Sequence, residues 1–123
     1  MNEVMKLSPE AQQALMQMQG MQQQMQTINF QRENLNFQKV EADRALIELK
    51  KLEKNEEIFK AVGPILIKTN KNDIETELSE KLETIEVRLK TLEKQESTIR
   101  EKAEEIQKKL EELLKPAEKA EAS

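Results

Sequence analysis

The sequence predicts a mainly α fold in which two long helices form an antiparallel coiled coil and one β-hairpin joins them. Apolar residues alternate at spacings of three and four over two segments of similar length, as in a coiled-coil seam. A β-prone stretch with a Gly-Pro turn signal separates these segments. Of the 123 residues, 36% are charged and 2% are aromatic, which favours a narrow buried seam over a thick globular core. The chain, 1–123, is predicted to be a single domain.

The first helix is predicted over residues 8–54. Ser8 can cap free backbone amides, Pro9 fits the first helical position, and Glu10 favours the positive end of the helix dipole. The predicted seam of this helix consists of Ala11, Ala14, Met18, Met21, Met25, Ile28, Arg32, Leu35, Lys39, Ala42, Leu46, Leu49 and Leu52.

Four residues of this segment, together with Met5 just before it, depart from a plain apolar seam. Arg32 and Lys39 occupy seam positions, where we favour basic side chains that reach past the seam to water over register selection against a partner. Met5, Leu15 and Met16 lie well away from the seam. Flexible thioethers exposed at a helix end are typical of surfaces that bind varied apolar partners.

A second, shorter apolar stripe lies nearly opposite the seam of the first helix. It consists of Phe30, Phe37, Val40 and Ile47. Scattered surface hydrophobic residues are the favoured interpretation, and contact with a neighbouring subunit or with a client protein are the alternatives. The stripe is therefore a possible second interface.

The β-hairpin is predicted over residues 57–69. Two runs of β-prone residues flank Gly63-Pro64, and Pro64 has no N–H, which confines it to a turn or a strand end. A lone two-stranded hairpin is marginally stable in water, and its edges present unpaired backbone groups. Because apolar side chains occupy both faces, the hairpin is predicted to require other chains.

The second helix is predicted over residues 70–115, with Asn70 or Asn72 as its cap. Pro116 is expected to end it, which leaves 116–123 as a disordered tail. Two helices of similar length can fold back antiparallel, with the chain ends about 65 Å from the hairpin. The predicted seam of the second helix consists of Leu78, Leu82, Ile85, Leu89, Leu92, Glu96, Ile99, Ala103, Ile106, Leu110 and Leu113.

Several classes of function find no support in the sequence. The chain has no His, no Cys and two Gly, and it contains no nucleophile motif, phosphate loop or compact carboxylate cluster, so we expect no catalysis, no cofactor and no metal. Lys and Arg alternate with Glu along the helices, which argues against nucleic acid. No apolar run is long enough to span a membrane, and we expect a cytoplasmic protein.

The order of parts resembles one protein family. The hairpin sequence IFKAVGPILIK at 58–68, with EADRALIELKKL at 41–52 and LKTLEKQESTIREK at 89–102, is similar to the archaeal-type β class of prefoldin subunits, and so is the Gln-rich first helix. The resemblance covers about residues 7–114. A single hairpin separates the chain from the α class, which carries two.

The resemblance implies an ATP-independent holdase that binds non-native proteins at its coiled-coil tips and delivers them to a group II chaperonin. It implies a hexamer of two α and four β subunits, whose hairpins join into β-barrels. The oligomerisation residues would be Ile58, Phe59, Ala61, Val62, Ile65, Leu66 and Ile67. The client-binding residues would be Met5, Leu15, Met16, Met18, Ile106, Leu110, Leu113 and Leu114. A coiled-coil scaffold or adaptor that joins specific partners is the alternative function.

Overall fold

A computed structural model describes the backbone of residues 7–122 and the side chains of residues 7–115. Within that range the chain forms, in order, α1 (Pro9–Lys50), β1 (Ile58–Val62), β2 (Ile65–Thr69) and α2 (Lys71–Ala122). The two strands pair antiparallel in a two-stranded sheet. The predicted fold class, two long helices joined by one β-hairpin, is confirmed.

Side-chain caps begin both helices. The backbone N–H of Ala11 donates a hydrogen bond of 3.1 Å to Ser8 Oγ at the start of α1. At the start of α2, the N–H of Asp73 donates to Asn70 Oδ1 at 2.8 Å. Each bond satisfies one of the amides that a first helical turn leaves without a partner. Of the two predicted caps for the second helix, the structure therefore selects Asn70.

The first helix ends at Lys50, four residues before its predicted end at 54. Its last turn tightens, because the N–H of Leu52 donates to the carbonyl of Leu49 at 3.1 Å, three residues back. The ammonium of Lys71 then donates to the carbonyl of Leu52 at 3.0 Å. The side chain of Lys71 on the second helix thus donates a hydrogen bond to a carbonyl just past the end of α1, where helical hydrogen bonding has stopped.

The second helix continues to Ala122, through Pro116 and beyond the predicted end at 115. The helix therefore extends into residues 116–122, for which the sequence predicts a disordered tail, and Ser123 lies outside the described residues. Pro116 removes one backbone N–H and disfavours the helix locally. The residues that follow are Ala, Glu and Lys, which have high helix propensity and continue the helix after the proline.

The chain divides into two compact units. The terminal unit consists of Met1–Phe30 and Leu92–Ser123, and the hairpin unit consists of Gln31–Thr91. Each unit pairs part of α1 with part of α2. In the hairpin unit, Lys71 contacts Leu52 near the strands, and Lys39 contacts Glu86 farther along both helices, so the helices run antiparallel there.

The predicted seam is the core of both units. Every predicted seam position of both helices is buried or half-buried. In the hairpin unit the buried side chains are Leu35, Ala42, Leu49 and Ile85. In the terminal unit the buried side chains are Ala11, Ala14, Ile28 and Leu92, and the seam residues of α2 after Leu92 are half-buried. Each unit therefore has four buried seam side chains, and its other seam residues are half-buried.

The basic seam residues Arg32 and Lys39 are half-buried, and so is the acidic seam residue Glu96. Lys39 forms an ion pair of 2.7 Å with Glu86 of the other helix, so this side chain reaches the seam edge. Glu96 lies 2.5 Å from a guanidinium nitrogen of Arg100 on the same helix. Charged groups at seam positions are therefore tolerated where the charge reaches the seam edge.

Candidate functional site

A two-residue turn sets the register of the hairpin. Gly63 has φ of 57°, a left-handed conformation that glycine adopts without steric cost, and Pro64 follows it. Glycine with positive φ at the first central position is the signature of a type II′ turn, whose twist matches that of the flanking strands. Val62 and Ile65 are consequently paired, and the pairing continues to Ile58 and Thr69. Gly63-Pro64 forms the predicted turn.

The alternation of side chains divides the hairpin into two faces. The inner face, which carries Lys60, is tied to α2 by an ion pair between Lys60 and Glu77. Inner-face residues are Ile58, Lys60, Val62, Ile65, Ile67 and Thr69. The residues of the outer face are Phe59, Ala61, Leu66 and Lys68. On the outer face Leu66 is 71% exposed and Phe59 is 53% exposed.

All seven predicted oligomerisation residues lie in this hairpin. Ile58 is half-buried, and the other six are exposed. Both strands are also edge strands, because the sheet has only two. Each strand therefore presents one row of backbone N–H and C=O groups that the sheet itself leaves unpaired. The structure brings together exposed apolar side chains and open strand edges in one element, which is the arrangement that strand addition from another chain requires.

The predicted client-binding residues lie in the terminal unit. Met16 is 71% exposed, and Leu15 and Leu114 are exposed as well. Four others belong to the seam and are half-buried, namely Met18, Ile106, Leu110 and Leu113. Met5 lies outside the described residues. The structure therefore places both exposed and partly covered apolar side chains in the unit that the sequence assigns to client binding.

Two grooves open beside the seam of the terminal unit. The larger, of about 600 Å³, is lined by Gln17, Gly20, Met21, Gln24, Ile99, Lys102, Glu105 and Ile106. The smaller, of about 380 Å³, is lined by Met18 and by α2 residues from Arg100 to Glu111. Two of the predicted client-binding residues, Met18 and Ile106, thus form groove walls.

Gly20 is a feature of this unit that sequence reasoning missed. A Cβ built at Gly20 would meet nothing within 4 Å, so the groove wall is open where this residue lacks a side chain. The signal in the sequence was a glycine in the middle of a helical pattern. Glycine destabilises a helix at such a position, so its presence there points to a role in packing or function. Its position beside Met21 and Ile106 is visible only once the helices are paired.

The second apolar stripe of α1 is exposed. Phe30 is 70% exposed and Phe37 is 62% exposed, and Val40 and Ile47 are exposed too. Val87 on α2 is another exposed apolar residue, and the periodicity gave no reason to single it out. Large aromatic side chains in water are a signal of an interaction surface when they are contiguous.

Two further kinds of site are absent from the described residues. No group of three or more acidic residues within 7–115 is placed to hold a metal ion. No helix of the described backbone is long and apolar enough to cross a membrane. The candidate functional surfaces are the hairpin, the exposed apolar residues of the terminal unit and the stripe on α1.

Comparison with known proteins relates the chain to a family. A sequence profile described as prefoldin subunit matches residues 12–117. The chain is 39% identical over 82 residues to a prefoldin subunit beta of Thermococcus onnurineus, covering 67% of this chain and 71% of that one. It is 42% identical over 83 residues to a prefoldin subunit beta of Archaeoglobus fulgidus, covering 68% of this chain and 72% of that one.

A solved structure shares the fold. The crystal structure of the prefoldin beta subunit from Thermococcus strain KS-1 matches with a TM-score of 0.80 at 36% sequence identity. The match covers 89% of this chain and 96% of the other. A match of this extent includes both helices and the hairpin.

Proposed function

The chain belongs to the prefoldin subunit family, and from that premise we propose that it is the β-type subunit of an ATP-independent holdase. The complex binds non-native proteins through the terminal unit and transfers them to a group II chaperonin in the cytoplasm. The exposed side chains of Leu15, Met16 and Leu114 in the terminal unit are the observation that carries this proposal, because a holdase needs apolar surface that water reaches before a client covers it.

The hairpin is the proposed assembly element. Its open edges would pair with strands of other subunits, and its apolar side chains would be buried in the resulting sheet. We propose that the partners are an α-class subunit and further copies of the β subunit, in a hetero-hexamer of two α and four β chains. The hairpins together form a β-barrel in this assembly, which would cover Phe59 and Leu66 of the outer face.

We assign client capture to flexible apolar side chains of the terminal unit. Met16 and Leu15 are exposed on α1, and Leu114 is exposed on α2. Methionine has an unbranched and polarisable side chain that fits many apolar surfaces. The half-buried seam residues Met18 and Ile106 extend this surface wherever the seam opens. A surface of this kind favours binding without sequence specificity, which is what varied non-native clients require.

An aggregation assay tests the proposal. The complex is prepared by co-expression of this chain with an α-class prefoldin subunit, and it is mixed with several unrelated proteins as they are diluted from denaturant. We expect lower light scattering for all of them without any nucleotide. A scaffold or adaptor that joins specific partners would leave the scattering of unrelated proteins unchanged. That result, obtained with the assembled complex, overturns the proposed function.

A further inference from the structure

The exposed stripe on α1 has the periodicity of a second coiled-coil seam. Two charged residues, Glu33 and Arg44, interleave with its four apolar residues, so that the six positions alternate at spacings of three and four. In order along α1 they are Phe30, Glu33, Phe37, Val40, Arg44 and Ile47. All six are exposed in the structure. A single helix face therefore carries the pattern of a seam but has no partner helix among the described residues.

The order of residue types along this stripe is self-complementary. If a second copy of α1 lies antiparallel about a two-fold axis between Gln38 and Lys39, each apolar position meets an apolar position. The same alignment sets the one acidic position, Glu33, opposite the one basic position, Arg44. The apolar pairs across the axis are Phe30 with Ile47 and Phe37 with Val40.

The charges of the stripe distinguish this alignment from the parallel one. The side chains of Glu33 and Arg44 form no ion pair or hydrogen bond within the described residues, so both are available to a partner. A parallel, in-register pair would set Glu33 against Glu33 and Arg44 against Arg44. Like charges in direct opposition disfavour a pairing, and opposite charges fix its direction.

The positions that flank the stripe agree with the antiparallel alignment. On one side of the seam Asn34 would face Glu41 of the second copy, and on the other side Asn36 would face Asp43. Each of these pairs joins an amide, which can donate hydrogen bonds, to a carboxylate. The parallel alignment would instead bring Asp43 close to Glu48, which repel each other.

We propose that this stripe is an isologous interface through which α1 of one copy of the chain binds α1 of a second copy in antiparallel orientation. The interface is separate from the hairpin and from the client-binding surface. Its six positions span about 27 Å of helix, which is short for a stable dimer interface. The association is accordingly weak and depends on protein concentration.

Disulfide trapping tests the proposed pairing directly, because the chain has no natural cysteine. The variants E33C and R44C are prepared as full-length proteins and are oxidised mildly, each alone and as an equimolar mixture. We expect a disulfide-linked dimer in the mixture and little in either variant alone. Mixing E33C with E83C, an exposed position on α2, measures random collisions. Equal linking in the E33C sample alone, or no linking above this control in the mixture, overturns the proposal.

Charge reversal gives an independent test in the same protein. All variants can also associate through the hairpin. Sedimentation therefore measures how the average mass of each variant changes with protein concentration, and the variants are compared with one another. E33R and R44E each place like charges opposite each other, and we expect each to weaken the pairing about tenfold. The double variant E33R/R44E has the original net charge and should restore pairing. A double variant as weak as the single ones contradicts the proposed contact, and circular dichroism verifies that all variants remain helical.

Discussion

The ammonium group of Lys39 on α1 lies 2.7 Å from a carboxylate oxygen of Glu86 on α2. The hydrogen bond from Lys39, reinforced by its charge, lowers the pKa of Glu86, and the same contact raises the pKa of Lys39. The pair therefore stabilises the hairpin unit only while both groups are charged. Since both side chains are substantially exposed, salt weakens the contribution.

The stability of the hairpin unit should depend on pH through this pair. The pKa of Glu86 is below its ordinary value of 4.5, so its contribution is present above that pH and is lost as the pH falls through the folded-state pKa. The contribution of Lys39 is present below 10.5 and is lost as the pH rises through its raised pKa.

In thermal unfolding followed by circular dichroism, E86Q should lose less stability than the parent between neutral and acidic pH. E83Q, a change at an exposed glutamate nearby, should follow the parent, and identical acid profiles for E86Q and the parent contradict this role of the pair.

The two asparagines at the start of α2 should differ in their effect on stability. Asn70 accepts a hydrogen bond from the backbone of Asp73, so N70A should lower the free energy of unfolding by about 1 kcal/mol. Asn72 lies inside the helix, and N72A should cause no loss, because alanine has the higher helix propensity. Urea unfolding of the two variants measures the difference. An equal loss in both would show that Asn70 is not the cap.

The two glycines should respond in opposite directions to replacement by alanine. Gly63 has a left-handed backbone, and G63A should cost about 1 to 2 kcal/mol of unfolding free energy. Gly20 lies in α1 with open space around its Cβ position, and G20A should gain about 0.5 to 1 kcal/mol. Urea unfolding of the assembled complex measures both. Stabilisation by G63A would be inconsistent with the II′ turn.

Replacement of exposed apolar residues in the terminal unit should weaken client binding without disturbing assembly. The double variant L15S/M16S removes two exposed apolar side chains, and we expect the dissociation constant for an unfolded client to rise about tenfold. Fluorescence titration with a labelled, denatured protein measures it, and the mass of the complex should not change. V87S removes an exposed apolar residue of the hairpin unit and serves as the matched control. Equal weakening by V87S would show that any exposed apolar residue contributes, and unchanged binding by L15S/M16S would show that the site lies elsewhere.

The seam and the turn were predictable because each rests on local pattern. The spacing of residues such as Leu35, Ala42 and Ile85 fixes the buried face of each helix, and Gly63-Pro64 marks the turn. The end of α1 was predicted less well, because Lys71 satisfies the carbonyl of Leu52 from 19 residues away in the chain. No local rule detects a contact of that kind.

In the candidate site, too, some features follow from local sequence pattern and others depend on contacts between the helices. The hairpin residues were predicted because a β-prone run is visible in the sequence. In the terminal unit, the exposure of Met16 followed from its helical phase, but the half-open seam around Ile106 and the gap at Gly20 depend on how closely the helices pack. The helix after Pro116 was missed because the propensity of the following residues outweighs one proline.

The mass of the complex formed on co-expression with an α-class prefoldin subunit tests the central claim, that the hairpin is an assembly element. Native mass spectrometry should give two α and four β chains. F59S/L66S, which changes the exposed outer face, should prevent assembly, and K68S on the same face should not. A stable monomer of the parent chain in the presence of the α subunit, or normal assembly of F59S/L66S, would contradict the account.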